Sequence, residues 1–332
     1  MKQTDWSFLA CTSRGTIALL WLVLVSHLSA AGFEEDFSTD PLERGWRTFG
    51  QAQLFHWDAA HQQLEVTWDS SQPNSYFFHT LGTVLTKTDD IELRFDLWID
   101  DLALGVLPDK PFTFELAVGL VRLQDATSTN FVRGSGSQSP NVMEFDYFPD
   151  SGFGATVSPA IISSNNQFMT SFTFPLELTS QHLFHVEMSY QATNQTLSTL
   201  LQRDGQPVGP IKEVHLSPDF TDFRLDTLAI SSYSDLGADG SILARGHVDN
   251  VEVTVPDPPA PSLHGAFKAG AWEVTFQSDA RWQYSLERSE DISEWRPLAG
   301  AAVSGNGGEQ TLRDEFPTPI GHGVYRVRLE RP

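Results

Sequence analysis

Glu144, Asp146 and Asp150 fall within "NVMEFDYFPDSGFG", residues 141–154. On a strand, residues two apart share a face, which puts Glu144 and Asp146 about 7 Å apart on one surface. Carboxylates that close repel unless a cation or a shared proton relieves them. Three arrangements account for the spacing. In the first, Asp146, the carbonyl of Phe148 and Asp150 meet one calcium ion where the chain turns at Pro149, since calcium takes about six to eight oxygens. In the second, the pair belongs to a retaining glycosidase, which needs two carboxyl groups about 5–5.5 Å apart. Some β-sandwich enzymes carry the nucleophile, an assisting Asp and the acid on one strand; Glu144 and Asp146 fit the first two places, but Phe148 stands where the acid belongs. In the third, the pair is the polar face of an exposed strand that ends in a turn.

Trp98 is the second residue whose setting suggests chemistry. In "DIELRFDLWID" it joins Glu92, Arg94, Asp96 and Asp100 on one face, opposite Ile91, Leu93, Phe95, Leu97 and Ile99. An aromatic ring among carboxylates suits stacking on the apolar side of a pyranose, with Asp96 and Glu144 accepting sugar hydroxyls. The alternative is that the face is covered and Trp98 is core. The histidines show no metal-ligand spacing: His182 and His185 are three apart on strand-like sequence and face opposite ways. No Ser-His-Asp arrangement, phosphate-cradling loop or nucleotide fingerprint is present.

The elements that must position these residues are strands. "QLEVTWDS", "FTFELAVGL" and "LFHVEMSY" keep a period of two between Gly, Pro, Asn, Asp and Ser clusters, and Asp204-Gly205 marks a tight hairpin. No stretch after residue 31 holds a helical period over three turns. The fold class is all-β: a large antiparallel jelly-roll sandwich followed by a small β-sandwich. "VPDPPAPS", Val255 to Ser262, is too rich in proline for a central strand and forms a stiff linker. The expected organisation is a leader over 1–31, a large domain over 32–255, a linker over 256–262 and a small sandwich over 263–332, the last with Trp272, Phe276, Tyr284, Leu286, Trp295 and Tyr325 in its core.

Lys2 and Arg14 precede the apolar run "IALLWLVLV", and "SHLSAAGF" supplies small residues for cleavage after Ala31. This is the pattern of a secretory signal peptide, and the run is short of the ~20 apolar residues of a membrane span. The expected location is therefore extracellular or periplasmic, with no membrane insertion of the mature chain. The chain's one cysteine, Cys11, lies in the leader, so the mature protein has no disulfide, zinc thiolate or cysteine nucleophile. The formal charge is −22 for 332 residues. Such a surface repels nucleic acid and anionic lipid and suits neutral glycans, cationic partners or divalent metals.

Four segments together resemble one family: "FEEDFSTDPLERGW", "VMEFDYFPDSG", "HVEMSYQATNQTLSTLLQRDGQPV" and "FRLDTLAISSYSDLGADGSILARGHVDNVEVTVP". In this order, over Phe33 to Val255, they resemble the concanavalin A-like lectin/glucanase jelly rolls, in particular laminin-G-like modules of secreted bacterial proteins. "EFDYFPD" is similar to the legume-lectin metal segment. That likeness implies Glu144 toward a transition metal, Asp146 as a bridge, and Phe148 and Asp150 toward calcium. The pattern departs at Ala155 and Ala160, where a further acid and a histidine belong, so it implies a single calcium at most. The pairing of first and last strands in such folds implies a second calcium candidate, Glu35 or Asp36 with Asp249 and Asn250; alternatively Asp249-Asn250 only caps a turn. The tail, with "YSLERSEDISEW" and "GVYRVRL", resembles fibronectin-III or immunoglobulin-like modules. The resulting expectation is a secreted, non-catalytic, calcium-dependent binder of an extracellular polysaccharide or glycan, with a glycoside hydrolase of the same fold or a structural matrix module as alternatives.

Overall fold

The computed structural model describes residues 32–110, 114–133, 138–234, 240–254, 259–298, 302–315 and 324–331, together with the backbone of Val23–Val25. Most of the expected leader and the first part of the proline linker lie outside the described residues. The chain divides into two units, one spanning Ala30–Pro256 and the other holding Asp257–Pro332 with the N-terminal stretch Met1–Ser29.

The alternation of "DIELRFDLWID" becomes the strand Ile91–Leu104, buried and half-buried by turns along its first ten residues. It is central to sheet I. Its neighbours are Leu183–Gln191 and Ile242–Thr254; outside these lie Thr196–Arg203 and Gln206–Val208 on one edge, Gln63–Asp69 and Phe55–Asp58 on the other. The Asp204-Gly205 turn joins two of these strands with φ of 50° and 77°, the left-handed pair that a two-residue hairpin needs. Phe33–Glu35 adds to the far end of Ile242–Thr254, so the first strand of the unit pairs with its last.

Sheet II runs Phe168–Thr170, Ala160–Ile162, Val142–Phe148, Leu116–Val121, Leu225–Ser232, Ser75–Leu85 and Arg47–Phe49, with Thr156–Val157 also paired to Val142–Phe148. Every pairing within the two sheets is antiparallel. Their inner faces meet in one core, where Phe95 of sheet I and Phe145 of sheet II lie edge to face at 5.8 Å. The central strands of sheet II, Val142–Phe148, Leu116–Val121 and Leu225–Ser232, are buried on the second face as well. Val142 to Tyr147 are all buried, because the segment from Leu123 to Arg133 lies over them. Tyr76 reaches up to the Ala126 carbonyl at 3.0 Å, and the ring of Phe131 stacks on that of Tyr233. An acid pair on this strand is thus sealed from water rather than presented to it.

In the smaller unit, one sheet consists of His264–Lys268, Ala271–Gln277 and Glu309–Asp314, and the other is built on Gln283–Ser289 and Val324–Glu330. Trp272, Phe276, Tyr284, Leu286 and Tyr325 form its core as the pattern predicts. Trp295 does not: it is half-buried, and the Arg326 guanidinium packs over its ring at 4.3 Å. The backbone of Val23–Val25 runs parallel beside Tyr325–Val327. Among the described residues no helix is long and apolar enough to cross a membrane.

Candidate functional site

Two polar constellations stand out, one inside sheet II and one on the open face of sheet I. Inside sheet II, Glu144 and Asp146 point to the same side of their strand, as alternation requires, and the side chain between them is Arg133. Its Nε lies 3.0 Å from Glu144 Oε2, and its Nη2 lies 2.6 Å from Asp146 Oδ2. A third carboxylate, Glu115, approaches the same Nε at 3.6 Å. Tyr233 donates its hydroxyl to Glu144 Oε1. Glu115, Arg133, Glu144 and Asp146 are each 2% exposed or less.

This geometry adds a partner to the acid pair. The positive charge that meets Glu144 and Asp146 is a guanidinium from their own chain, that of Arg133. Asp150 does not join them: it sits in the turn beyond, where its Oδ1 accepts from the Gly152 N–H at 3.0 Å. Phe148 is paired in the strand with Thr156. The exposed-face alternative fails, since the pair is buried. Glu144 is also separated from Trp98 and Asp96, which lie on the other sheet, so the three residues proposed to share a sugar do not meet.

One guanidinium among three carboxylates leaves the cluster short of positive charge. Burial pushes the Glu115 carboxyl up to about 7, Arg133 opposing and the Glu144 charge assisting the shift. Asp146 is moved up too, again chiefly by burial. Both Glu115 oxygens and Asp146 Oδ1 lack a hydrogen-bond partner among the described residues. Burial thus favours the protonated form of both Glu115 and Asp146, against the pull of the Arg133 charge.

The second constellation is a groove of about 560 Å³ on the outer face of sheet I. Antiparallel register places Leu183, Trp98, His247 and Glu65 in one row across four strands. His185, Asp96 and Asp249 form the next row. Trp98 is half-buried rather than core, so the face is not covered. Its indole Nε1 donates to Asp100 Oδ1 at 3.0 Å, and the other Asp100 oxygen lies 3.2 Å from His247 Nε2. Asp96 lies 2.8 Å from His185 Nδ1 and accepts from Asn250 Nδ2 at 2.8 Å. The indole is therefore fixed in the floor of the groove while polar groups line its rim.

Where the first strand meets the last, Glu35 pairs with Val251, and the charge of Asp36 is felt at Asp249. Burial raises Asp249 to about 6, and the charges of Asp96, Asp36 and Glu35 add to the effect. Glu35 is already engaged: it accepts from the Phe37 N–H, from Trp46 Nε1 at 2.8 Å and from Arg44. Asp36 accepts from the Ser38 N–H at 3.0 Å and lies 3.5 Å from Arg44. Among the described residues no three His, Cys, Asp or Glu side chains converge as ligands of one metal ion.

The sequence reading missed Arg133, Glu115 and Tyr233 in the first constellation and His247 and Gln181 in the second; it placed Asp100 on the Trp98 face without a role and gave Asn250 to a calcium site rather than to the groove. Asp100 was within reach, being the next residue on the polar face of the Trp98 strand. Arg133 was not, because it sits in the Gly/Ser-rich "FVRGSGSQS" outside any periodic run.

No family model matches the chain, and no curated protein sequence matches it. Solved structures with a similar fold include lectin II from Ulex europaeus, 11% identical over 68% of this chain and 99% of that one, with a TM-score of 0.45. Peanut lectin is 13% identical over 69% and 99%, with a TM-score of 0.42. The carbohydrate recognition domain of Emp47p is 10% identical over 67% and 95%, with a TM-score of 0.39.

Proposed function

We propose that this is an exported, non-catalytic, lectin-type protein that binds an extracellular glycan on the outer face of sheet I. One observation carries the proposal: Trp98, half-buried and pinned by Asp100, floors an open groove whose rim is made of carboxylates, amides and imidazoles. A pyranose presents C–H groups on one side and hydroxyls around its edge. The indole face takes the first, and Asp96, Gln63, Gln181 and Asn250 take the second. The groove is too open and too polar for a small apolar ligand, which seeks an enclosed, largely hydrophobic pocket. Hydrolysis is disfavoured because the buried carboxylates of sheet II lie sealed beneath Arg133 and Tyr233, out of reach of a polysaccharide.

Calcium enters this proposal as a brace rather than a sugar ligand. Asp36 and Asp249 would hold it at the join of first and last strands, with backbone carbonyls and water completing the oxygens. The smaller unit serves as a spacer or docking module. A glycan array with and without EDTA tests the reading. Binding that is lost in Trp98→Ala and retained, with a lower melting temperature, after chelation is the expected result. An array on which no glycan is retained ends it.

A further inference from the structure

The groove is unbalanced in charge. Asp58, Glu65, Asp96, Asp100 and Asp249 line it with two imidazoles, His61 and His247, a third imidazole, His185, meets Asp96 from the neighbouring strand, and neither lysine nor arginine lines it. Even with all three imidazoles protonated the five carboxylates outnumber the cations by two. The arginines nearest along the same face are committed elsewhere. Arg94 is held by Glu92 at 2.6 Å, Glu252 at 3.2 Å and Glu187 at 3.3 Å, and Arg245 pairs with Asp101 at 3.2 Å. A neutral sugar laid on Trp98 would desolvate these carboxylates and return hydroxyl hydrogen bonds alone. A sugar bearing an ammonium group returns charge-assisted hydrogen bonds, which are shorter and stronger.

From the acidic rim and the Trp98 floor taken together, we infer that the groove selects a cationic glycan, an oligosaccharide of hexosamine with free amines. This inference rests on the carbohydrate reading of the same groove. The ring of one residue stacks on Trp98, and its ammonium, or that of the next residue along the chain, is received by carboxylates on either side of the indole. Asp96 and Asp100 are held in place for this by a partner on each oxygen, His185 and Asn250 for Asp96 and Trp98 and His247 for Asp100, and a carboxylate oxygen keeps a second lone pair for an ammonium. An aromatic floor distinguishes a sugar from a simple cation, and the excess of carboxylates distinguishes an amino sugar from a neutral one.

The experiment uses the full chain and calorimetric titration with two β-1,4-linked glucosamine hexamers, one with free amines and one fully N-acetylated, and with hexalysine as a sugar-free cation. The free-amine hexamer is expected to bind roughly tenfold tighter than the acetylated one, with the advantage shrinking as salt rises through the range where the Debye length falls below about 10 Å. Trp98→Ala is expected to weaken the free-amine hexamer, and Glu65→Gln to reduce the preference between the two. Equal or tighter binding of the acetylated hexamer overturns the inference and leaves the carbohydrate reading standing. Binding of hexalysine as tight as the free-amine hexamer, with the same loss in Trp98→Ala, overturns it in favour of a basic peptide. Failure of both sugars to bind overturns the inference, and if the array is also blank the reading beneath it falls as well.

Discussion

Arg133 lies against Glu144 with Nε 3.0 Å from Oε2, and this contact settles how a strand with two acids on one face is sealed inside a protein. The guanidinium spans both acids, and its planar fork suits the task better than a compact ion whose oxygen shell would need water or carbonyls. Removing one partner of a buried pair leaves a buried charge uncompensated, which typically costs about 3–5 kcal/mol. Arg133→Met is expected to lose that much stability in urea unfolding at pH 7.5. A loss under about 1 kcal/mol would mean that the acids are balanced by something else.

The burial of Glu115 makes stability depend on pH in an unusual direction. Glu115 is raised from 4.5 to about 7 by burial, so between those values the folded state binds more protons than the unfolded chain. Stability then falls as pH rises through this window and levels off above it. The size of the fall is on the order of 3 kcal/mol at 1.36 kcal/mol per unit, with Asp146 moved in the same direction. Glu115→Gln should flatten the decline and be the more stable protein at pH 8. Urea midpoints of both proteins at pH 4.5 and pH 8 measure the difference; parallel declines would show that the proton resides elsewhere.

Gly119 explains how the acid strand fits beside its neighbour. It lies opposite Glu144 in the Leu116–Val121 strand, and a Cβ built there would fall 2.4 Å from the Met143 carbonyl oxygen and 2.5 Å from Glu144 Cγ. The backbone oxygen cannot swing away without breaking the sheet. Gly119→Ala is therefore expected to cost about 1–3 kcal/mol or more from overpacking and to loosen the Arg133 cluster. The check is thermal unfolding together with amide exchange of Val142–Phe148. Unchanged protection of that strand would show that the two strands tolerate separation.

How much of this was legible depends on whether the signal was local. The period of two in "DIELRFDLWID" gave the core face of sheet I and the polar face that carries Trp98, because a strand with one wet side must alternate. The same logic misled at "NVMEFDYF", where the alternation of acid and aromatic suggested a wet side but both sides are dry. Nothing in those eight residues states that a loop covers them. The compensating Arg133 is 11 residues before Glu144 and Tyr233 is 89 after it, and neither is periodic with the strand. The groove shows the same limit: Asp96 and Trp98 were visible as neighbours, whereas His247 and Asn250 reach them only through the pairing with Ile242–Thr254.

The bond from Trp98 Nε1 to Asp100 Oδ1 separates what the ring does from what holds it. If the indole face is the sugar platform, Trp98→Ala removes it, an effect on the order of 2 kcal/mol, or about 30-fold in Kd. Asp100→Ala leaves the ring in place but frees it to turn, and also releases His247, so a smaller loss is expected, together with faster indole motion seen as lower fluorescence anisotropy. Trp98→Phe keeps a flat ring without the donor and should fall between the two. Because Trp98 and Asp100 sit half-buried on the outer face of the sheet, all three variants should keep folding stability within about 1 kcal/mol of the parent. Titration with the tightest glycan from the array, beside a melting curve for each variant, resolves the order. If Trp98→Ala binds that glycan as well as the parent does, the sugar lies somewhere other than this groove.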